Sequence, residues 1–362
     1  MDLPTIAIYE QRAKEWQQAR TSDGAIYARA KKLGEQRIAP YPVLDLGCGP
    51  GPHLAALGAP VVAQDGAPAM VSLALAAVPS ALGVCGDLLH LPLRRSSLGA
   101  AWASASYLHI KRVELPWALM DLHQALVPNA PIALRLRRGN KEGQLVGLRD
   151  DQFPGRFFAE IEVKELHSVL VGAGFSVSLC EVDSLDDGWI EVQAKRAPTL
   201  PDFVGPNMNI LICGLNPSVY SAEVGVGFGR PGNRFWPAAI KAGMVSQDRD
   251  PRHALKNYGV GMTDLVKRAT AKASDLKIYE YQEGMERVAR LTQWLKPKMI
   301  CFVGLSGYRA AIDKSAQAGI QSQLVGGTRV YLMPSTSGLN AHSSLDQLSE
   351  HFKTALAFSK TL

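Results

Sequence analysis

The chain has 362 residues, of which 47% are hydrophobic and 20% charged, with a formal net charge of +6. That length suits about two domains. The mixture is globular, which excludes disorder, collagen and low-complexity repeats. No apolar run reaches the ~18–20 residues that span a bilayer, so no membrane partner is expected. The start, Met1-Asp2-Leu3-Pro4, carries an acid and has no basic-then-apolar leader pattern. The five cysteines (Cys48, Cys85, Cys180, Cys213, Cys301) are dispersed and form no C-x-x-C pair. Cys85, Cys213 and Cys301 lie in apolar runs, as small buried side chains do. A reducing, cytoplasmic location is expected, with no disulfide framework, zinc ribbon or iron–sulfur cluster and no metal site.

The charge is uneven. Residues 1–204 carry 20 Lys and Arg against 22 Asp and Glu, a net of −2, and residues 205–362 carry 19 against 11, a net of +8. A basic second half suits a polyanionic partner.

In chain order, apolar runs at 42–46, 60–64, 82–86, 99–104, 130–137, 174–182 and 188–195 predict strands. Helices fall between them, for example at 114–126 and 163–173. Alternation of this kind predicts a doubly wound α/β sheet. The stretch Lys195 to Pro206 then holds Pro198, Pro201 and Pro206 with Gly205. These forbid a continuous helix or central strand. The expected domains are 1–197 and 207–362, joined by a short, stiff, proline-rich linker at 198–206. In the second, strands at 209–215, 299–304 and 328–333 alternate with helices near 233–243, 280–295, 306–318 and 344–359. The last helix opens after Ser343-Ser344. This is a second, smaller α/β sheet.

The first predicted strand runs into Asp45-Leu46-Gly47-Cys48-Gly49-Pro50-Gly51. Glycines there let backbone approach a ligand and present N–H groups to it. Asp65 ends the next strand, where a carboxylate can accept both hydroxyls of a ribose. Asp87 ends the third, in Gly86-Asp87-Leu88-Leu89-His90-Leu91-Pro92. The spacing after Gly51 lacks the third, helix-opening glycine of a nicotinamide-dinucleotide site. The series D-L-G-C-G-P-G, Asp65 and G-D-L-x-x-L-P resembles a class I S-adenosylmethionine-dependent methyltransferase over about residues 8–196. Trp102 to Ile110 and Gly188-Trp189-Ile190-Glu191-Val192 extend the likeness to its small-molecule branch. The resemblance implies a Rossmann-like sheet that binds S-adenosyl-L-methionine, a small-molecule methyl donor. Gly47, Gly49 and Gly51 would line the methionine side, and Asp45 is a further cofactor-binding candidate. Asp65 would hold the ribose and Asp87 the adenine amine. Ser104-Ala105-Ser106-Tyr107 stands where base-amine methyltransferases carry [DNS]-P-P-[FYW], so base methylation is not supported. Tyr107, His109 and His90 are candidates for an acceptor pocket, each with a structural or loop role as the alternative.

In the second half, a strand ends in Gly214-Leu215-Asn216-Pro217-Ser218. A polar side chain at a strand's carboxyl end, before a proline-fixed turn, can point into a cleft or cap its own backbone. Next comes Gly225-Val226-Gly227-Phe228-Gly229-Arg230-Pro231-Gly232-Asn233-Arg234-Phe235-Trp236. Its arginines can meet phosphates, and Phe228, between glycines, suits stacking on a base. Phe235 and Trp236 read as core of the following helix. Near the end lies Met333-Pro334-Ser335-Thr336-Ser337-Gly338-Leu339-Asn340-Ala341. An apolar tip on a small-residue loop can enter a base stack or pack back on its own domain.

These three motifs, with G-V-G-M-T-D-L-V at 259–266, closely resemble the mismatch-specific uracil/thymine-DNA glycosylases of the uracil-DNA glycosylase superfamily, over about residues 205–360. The resemblance implies a three-layer α/β/α domain with a mainly parallel sheet. It implies hydrolysis of the N-glycosidic bond of mismatched or damaged pyrimidines in double-stranded DNA, with no cofactor. Asn216 would position the attacking water. Leu215, Pro217, Ser218, Ser221, Phe228 and Asn233 would form the base pocket, with Phe228 stacked on the extruded base. Leu339, beside Gly338 and Asn340, would fill the hole in the duplex, and Ser335 and Ser337 would bind phosphates. Ser218 stands where the family often has glycine, and the wedge carries no basic tip. The alternative is a methyltransferase whose second half only binds DNA.

Overall fold

A computed structural model describes residues 2–19, 24–144 and 151–360. Met1, at the start of the expected first domain, and Thr361 and Leu362, at the end of the second, lie outside the described residues. The chain divides into two compact units, Met1–Val171 with Phe175–Ala197, and Gly172–Gly174 with Pro198–Leu362.

The first unit opens with three helices, α1 (Leu3–Gln11), α2 (Ala13–Ala19) and α3 (Gly24–Glu35). Asp2 caps α1 by accepting from the Thr5 N–H, and Pro4 lies in its first turn. Then come β1 (Val43–Leu46), α4 (Leu54–Leu57), β2 (Val61–Asp65), α5 (Pro68–Ala77), β3 (Leu82–Cys85), β4 (Ala100–Ser104), α6 (Leu115–Ala125) and β5 (Pro131–Arg137). A short hairpin, β6 (Glu142–Gln144) with β7 (Phe157–Ala159), precedes α7 (Val163–Gly172), β8 (Phe175–Val182) and β9 (Trp189–Arg196). The main sheet has the order β3-β2-β1-β4-β5-β9-β8. Strands β1 to β5 are parallel, and β9 and β8 add antiparallel at one edge. This is a Rossmann-like doubly wound sheet. Each of its seven strands falls on a predicted run. The central β1 is buried throughout, as a strand covered on both faces must be. Cys85 departs from expectation: it lies on the edge strand β3 and is exposed.

The second unit contains β10 (Ile210–Gly214), α8 (Val219–Val224), α9 (Phe235–Lys241), α10 (Pro251–Tyr258), β11 (Val260–Asp264), α11 (Ile278–Leu295), β12 (Met299–Val303), α12 (Ser306–Ala311), β13 (Gly319–Ile320), β14 (Arg329–Met333) and α13 (Leu345–Lys360). Its sheet has the order β11-β10-β12-β14-β13, parallel except for β13. Helix α9 packs on α13, and α11 on α12. Helix α12 stops short of the expected 318, because the Asp313 carboxylate captures the Ser315 N–H at 2.8 Å and turns the chain. Residues 198–206 pack within this unit. Leu200, Phe203 and Val204 are buried, and so is Asp202, between Lys267 and Arg287, each 2.8 Å away.

No described helix is long and apolar enough to cross a membrane.

Candidate functional site

The first site lies where strand order reverses between β1 and β4, the place at which open α/β sheets bind ligands. Gly47, Gly49 and Gly51 all have left-handed backbone, with φ of 67°, 53° and 83°. A Cβ on Gly47 would come within 2.4 Å of Ser106 Cβ, so no other residue fits there. The Gly49 N–H donates to Asp65 Oδ2 and the Ala67 N–H to Asp65 Oδ1, both at 2.9 Å. The acid at the end of β2 is thereby locked against the glycine turn. Burial raises its pKa, against the pull of those hydrogen bonds.

A cavity of about 500 Å³ opens above this turn. Asp45, Gly47, Gly49 and Asp65 line it, whereas Gly51 and Asp87 do not. Gly51 instead turns against Ala74, whose Cα would lie 3.0 Å from an added Cβ. Asp87 accepts the Leu89 N–H, and it is Leu88 that reaches the cavity. Asp45 is buried, and its Oδ2 has no hydrogen-bond partner among the described residues. Burial, and then the nearby Asp65, push its pKa up to about 8.

Of the three acceptor-side candidates, His109 lines the cavity. Tyr107 is buried away from it, and His90 is exposed, tilted against Trp117. The remaining wall was not foreseen: Tyr9 and Trp16 come from the opening helices, and Arg135 and Trp189 from β5 and β9. His109 Nδ1 lies 2.7 Å from the Phe157 carbonyl, so that nitrogen carries the proton. Nε2 then accepts from the Tyr9 hydroxyl at 2.8 Å, and the buried Arg156 donates to that hydroxyl at 3.0 Å. Burial lowers the His53 pKa to about 4, which keeps that imidazole on the same wall neutral.

The second site lies at the carboxyl ends of β10 and β11. Asn216 follows β10 by two residues. Its Nδ2 donates to the Thr270 hydroxyl at 2.8 Å, the Arg268 carbonyl at 3.0 Å and the Pro217 carbonyl at 3.2 Å. Three oxygens around one NH₂ fix which way the amide points. Its Oδ1 accepts no hydrogen bond among the described residues. Leu215 and Pro217 supply backbone carbonyls to the Val266 and Thr270 N–H groups, which ties the turn to the loop after β11. Residue 214 is glycine for a steric reason. An added Cβ would lie 2.5 Å from Asp264 Oδ1 and 3.3 Å from Phe228 Cζ. The carboxylate that ends β11 and the Phe228 ring thus converge beside the Asn216 turn. Burial pushes the Asp264 pKa up to about 6, with Lys267 and Arg287 pulling against it and Asp202 adding to it.

Ser218 caps α8, accepting from the Ser221 N–H, and its hydroxyl lies 3.1 Å from that of the buried Ser221. The pair is engaged in the cap. Asn233, two residues before α9, is engaged likewise, accepting the Phe235 N–H at 2.9 Å. Phe228 is half-buried at φ 56° and stacks on Phe235. Phe235 and Trp236 are fully buried, as core residues should be.

Leu339 is 89% exposed at the tip of the loop after β14, so it does not pack back on its own domain. Asn340 braces that loop, donating to the Ser335 carbonyl at 2.7 Å and accepting the His342 N–H at 3.1 Å. Ser335 Oγ accepts the Ser337 N–H, and Ser337 Oγ the Leu339 N–H, both at 3.3 Å. Gly338 sits on Gly232, whose oxygen would be 2.9 Å from an added Cβ. Arg234 corrects an expectation. Its guanidinium does not reach outward for phosphate but turns under this loop and donates to the carbonyls of Ser337, Asn340 and Ser343.

Two α/β domains, each with a glycine-shaped turn at the carboxyl end of an inner strand, define the class of the protein. Residues 43–129 match the family model of a methyltransferase domain, and residues 201–359 that of the uracil DNA glycosylase superfamily. The chain joins a methyltransferase domain to a domain of the uracil-DNA glycosylase superfamily. Among solved structures, it is similar to an S-adenosylmethionine-dependent methyltransferase from Mesorhizobium loti, at 19% identity over 48% of this chain and 99% of that one, with a TM-score of 0.39. It is also similar to 1,6-didemethyltoxoflavin-N1-methyltransferase from Burkholderia thailandensis, at 19% identity over 54% of this chain and 92% of that one, with a TM-score of 0.41.

Proposed function

We propose that the second domain is a DNA N-glycosylase of base excision repair. It would act on a mismatched or damaged pyrimidine, such as uracil, thymine or ethenocytosine opposite guanine, in double-stranded DNA. The observation that carries this reading is the held amide of Asn216. With its NH₂ engaged by three oxygens, Oδ1 is the group left to accept a hydrogen bond from water and orient it. Phe228, the neighbouring ring, offers the flipped base a π-face. Water then adds to the anomeric carbon as the C–N bond pair leaves with the base, and the proton of the water passes to solvent. An amide orients water but is a poor base, so the rate rests on position and electrostatics. Turnover is slow and base selectivity modest. The net charge of +8 over residues 205–362 supports attraction to the duplex.

The test is incubation with U·G and T·G duplexes followed by alkali. The protein nicks the strand at the target, and Asn216→Ala binds DNA without nicking. A protein that releases no deaminated or alkylated base from any pairing sinks the reading.

The first domain would bind S-adenosyl-L-methionine, in a cytoplasmic protein. The residues present fit that molecule. The orphaned Oδ2 of buried Asp45 suits an ammonium, the glycine turn leaves room for a carboxylate, and Asp65 keeps lone pairs for ribose hydroxyls. When bound, the sulfonium supplies an electrophilic methyl group. Tyr9, Trp16 and His109 would then wall the acceptor side and exclude water. Calorimetric titration with S-adenosyl-L-methionine should give heat that Asp65→Ala removes.

A further inference from the structure

Arg234 is unusual among the arginines of the second unit. It forms no ion pair among the described residues, yet its side chain is only half-exposed and its Nε is buried without a partner. Its two terminal nitrogens serve the carbonyls of Ser337 (3.1 Å), Asn340 (2.6 Å) and Ser343. Its own N–H donates to Thr336 at 2.9 Å. One residue therefore grips the loop bearing Leu339 at four points along its length. The next residue, Phe235, is the floor on which Phe228 lies. Two functional parts, more than a hundred residues apart in sequence, are thus held by adjacent side chains at the start of α9.

We propose that Arg234 is a positioning residue that couples the duplex-entering loop to the base-stacking ring, so that insertion of Leu339 and seating of the extruded base occur as one event. This deepens the glycosylase reading and rests on it. A planar fork can hold several carbonyls in fixed directions, which a lysine ammonium cannot. A loop held this way pays less ordering cost when it enters DNA. The uncompensated cation beneath it also draws the loop toward the phosphates.

The test uses the full chain and a duplex carrying U·G beside 2-aminopurine, whose fluorescence rises when its neighbour leaves the stack. Extrusion is read by stopped-flow fluorescence and bond cleavage by single-turnover base release. Arg234→Lys should slow extrusion on the order of tenfold, the loss of one charge-assisted hydrogen bond. In a Leu339→Ala background the same change should cost less than about twofold, because the loop then has nothing to insert. Gly338→Ala, which pushes on the Gly232 carbonyl without touching the guanidinium, should show the same dependence on Leu339 and serves if the lysine variant folds poorly. Losses that multiply independently in the double variant overturn the coupling, as does a wild-type protein that gives no fluorescence rise. Extrusion without any base release leaves the coupling standing and sinks the glycosylase reading instead.

Discussion

The ring of Phe228 lies flat on that of Phe235, with centroids 4.1 Å apart and planes 8° from parallel. One face of Phe228 is thus spent on the protein, and its edge reaches the space beside Gly214. Its φ of 56° is a left-handed conformation that costs a non-glycine residue about 1–2 kcal/mol. Strain of this kind persists where the surroundings over-determine it.

Removing that ring should therefore separate activity from stability. Phe228→Ala loses a base–aromatic contact of about 1–3 kcal/mol, and base release at saturating enzyme should fall accordingly. Phe228→Gly loses the same ring but relieves the backbone. It should melt at a temperature equal to or above that of the alanine variant while releasing base equally slowly. A glycine variant less stable than the alanine one would show that the conformation carries no strain.

Replacing Asn216 by Asp is the change most often expected to speed such a site, since a carboxylate is a better base. Here it should not. The Asn216 NH₂ faces the carbonyls of Arg268 and Pro217 at 3.0 and 3.2 Å. A carboxylate would set oxygen against oxygen at both. Asn216→Asp should lose about 1–3 kcal/mol of stability, two hydrogen bonds of about 0.5–1.5 kcal/mol each. Thermal melting and base release measured together check this, and a variant both stable and faster than the parent would overturn it.

Much of this was legible in the sequence, for a physical reason. The strands of the first sheet are short apolar runs bounded by Gly, Pro and Asp, and the turn after β1 needs glycine at 47 because Ser106 leaves no room for a Cβ. Local rules see such constraints. Strand β11 is not signalled locally because Val260-Gly261-Met262-Thr263-Asp264 carries two poor strand formers, Gly261 and Asp264, and its place is set by pairing with β10. Without that strand, Asp264 could not be placed beside residue 214. The sequence offers Arg234 only as an arginine that can meet phosphate, because its carbonyl partners lie more than a hundred residues away. Tyr9 and Trp16 reach the first cavity through packing alone, which no spacing announces.

Asp264 gives the second site a pH dependence. Burial raises its pKa to about 6. Above that pH a negative charge stands near Phe228 and Gly214, where the leaving base also becomes negative. Base release should fall as pH rises through 6, and Asp264→Asn should flatten the profile. The stability sign is separate. The pKa in the folded protein exceeds the ordinary value of 3.8, so the group's contribution is full below 3.8 and is lost as pH rises through 6. The asparagine variant should lack that part of the melting-temperature decline. An identical pH–rate profile in both proteins would remove Asp264 from the site.

Asp45 makes a matching prediction for the first site. Its pKa of about 8 means that the carboxyl is mostly protonated at pH 7 in the free protein. An ammonium placed against Oδ2 favours the carboxylate, so binding of S-adenosyl-L-methionine should release close to one proton there. Affinity should rise with pH between 6 and 8, up to about tenfold per unit. The free protein moves the other way: its raised pKa contributes stability fully below 3.8, lost as pH rises through 8. Titration calorimetry in two buffers of different ionisation enthalpy reads the released proton directly. Asp45→Asn should bind more weakly with no proton release from that side chain. Heats that are independent of buffer in the parent protein would place the ammonium elsewhere.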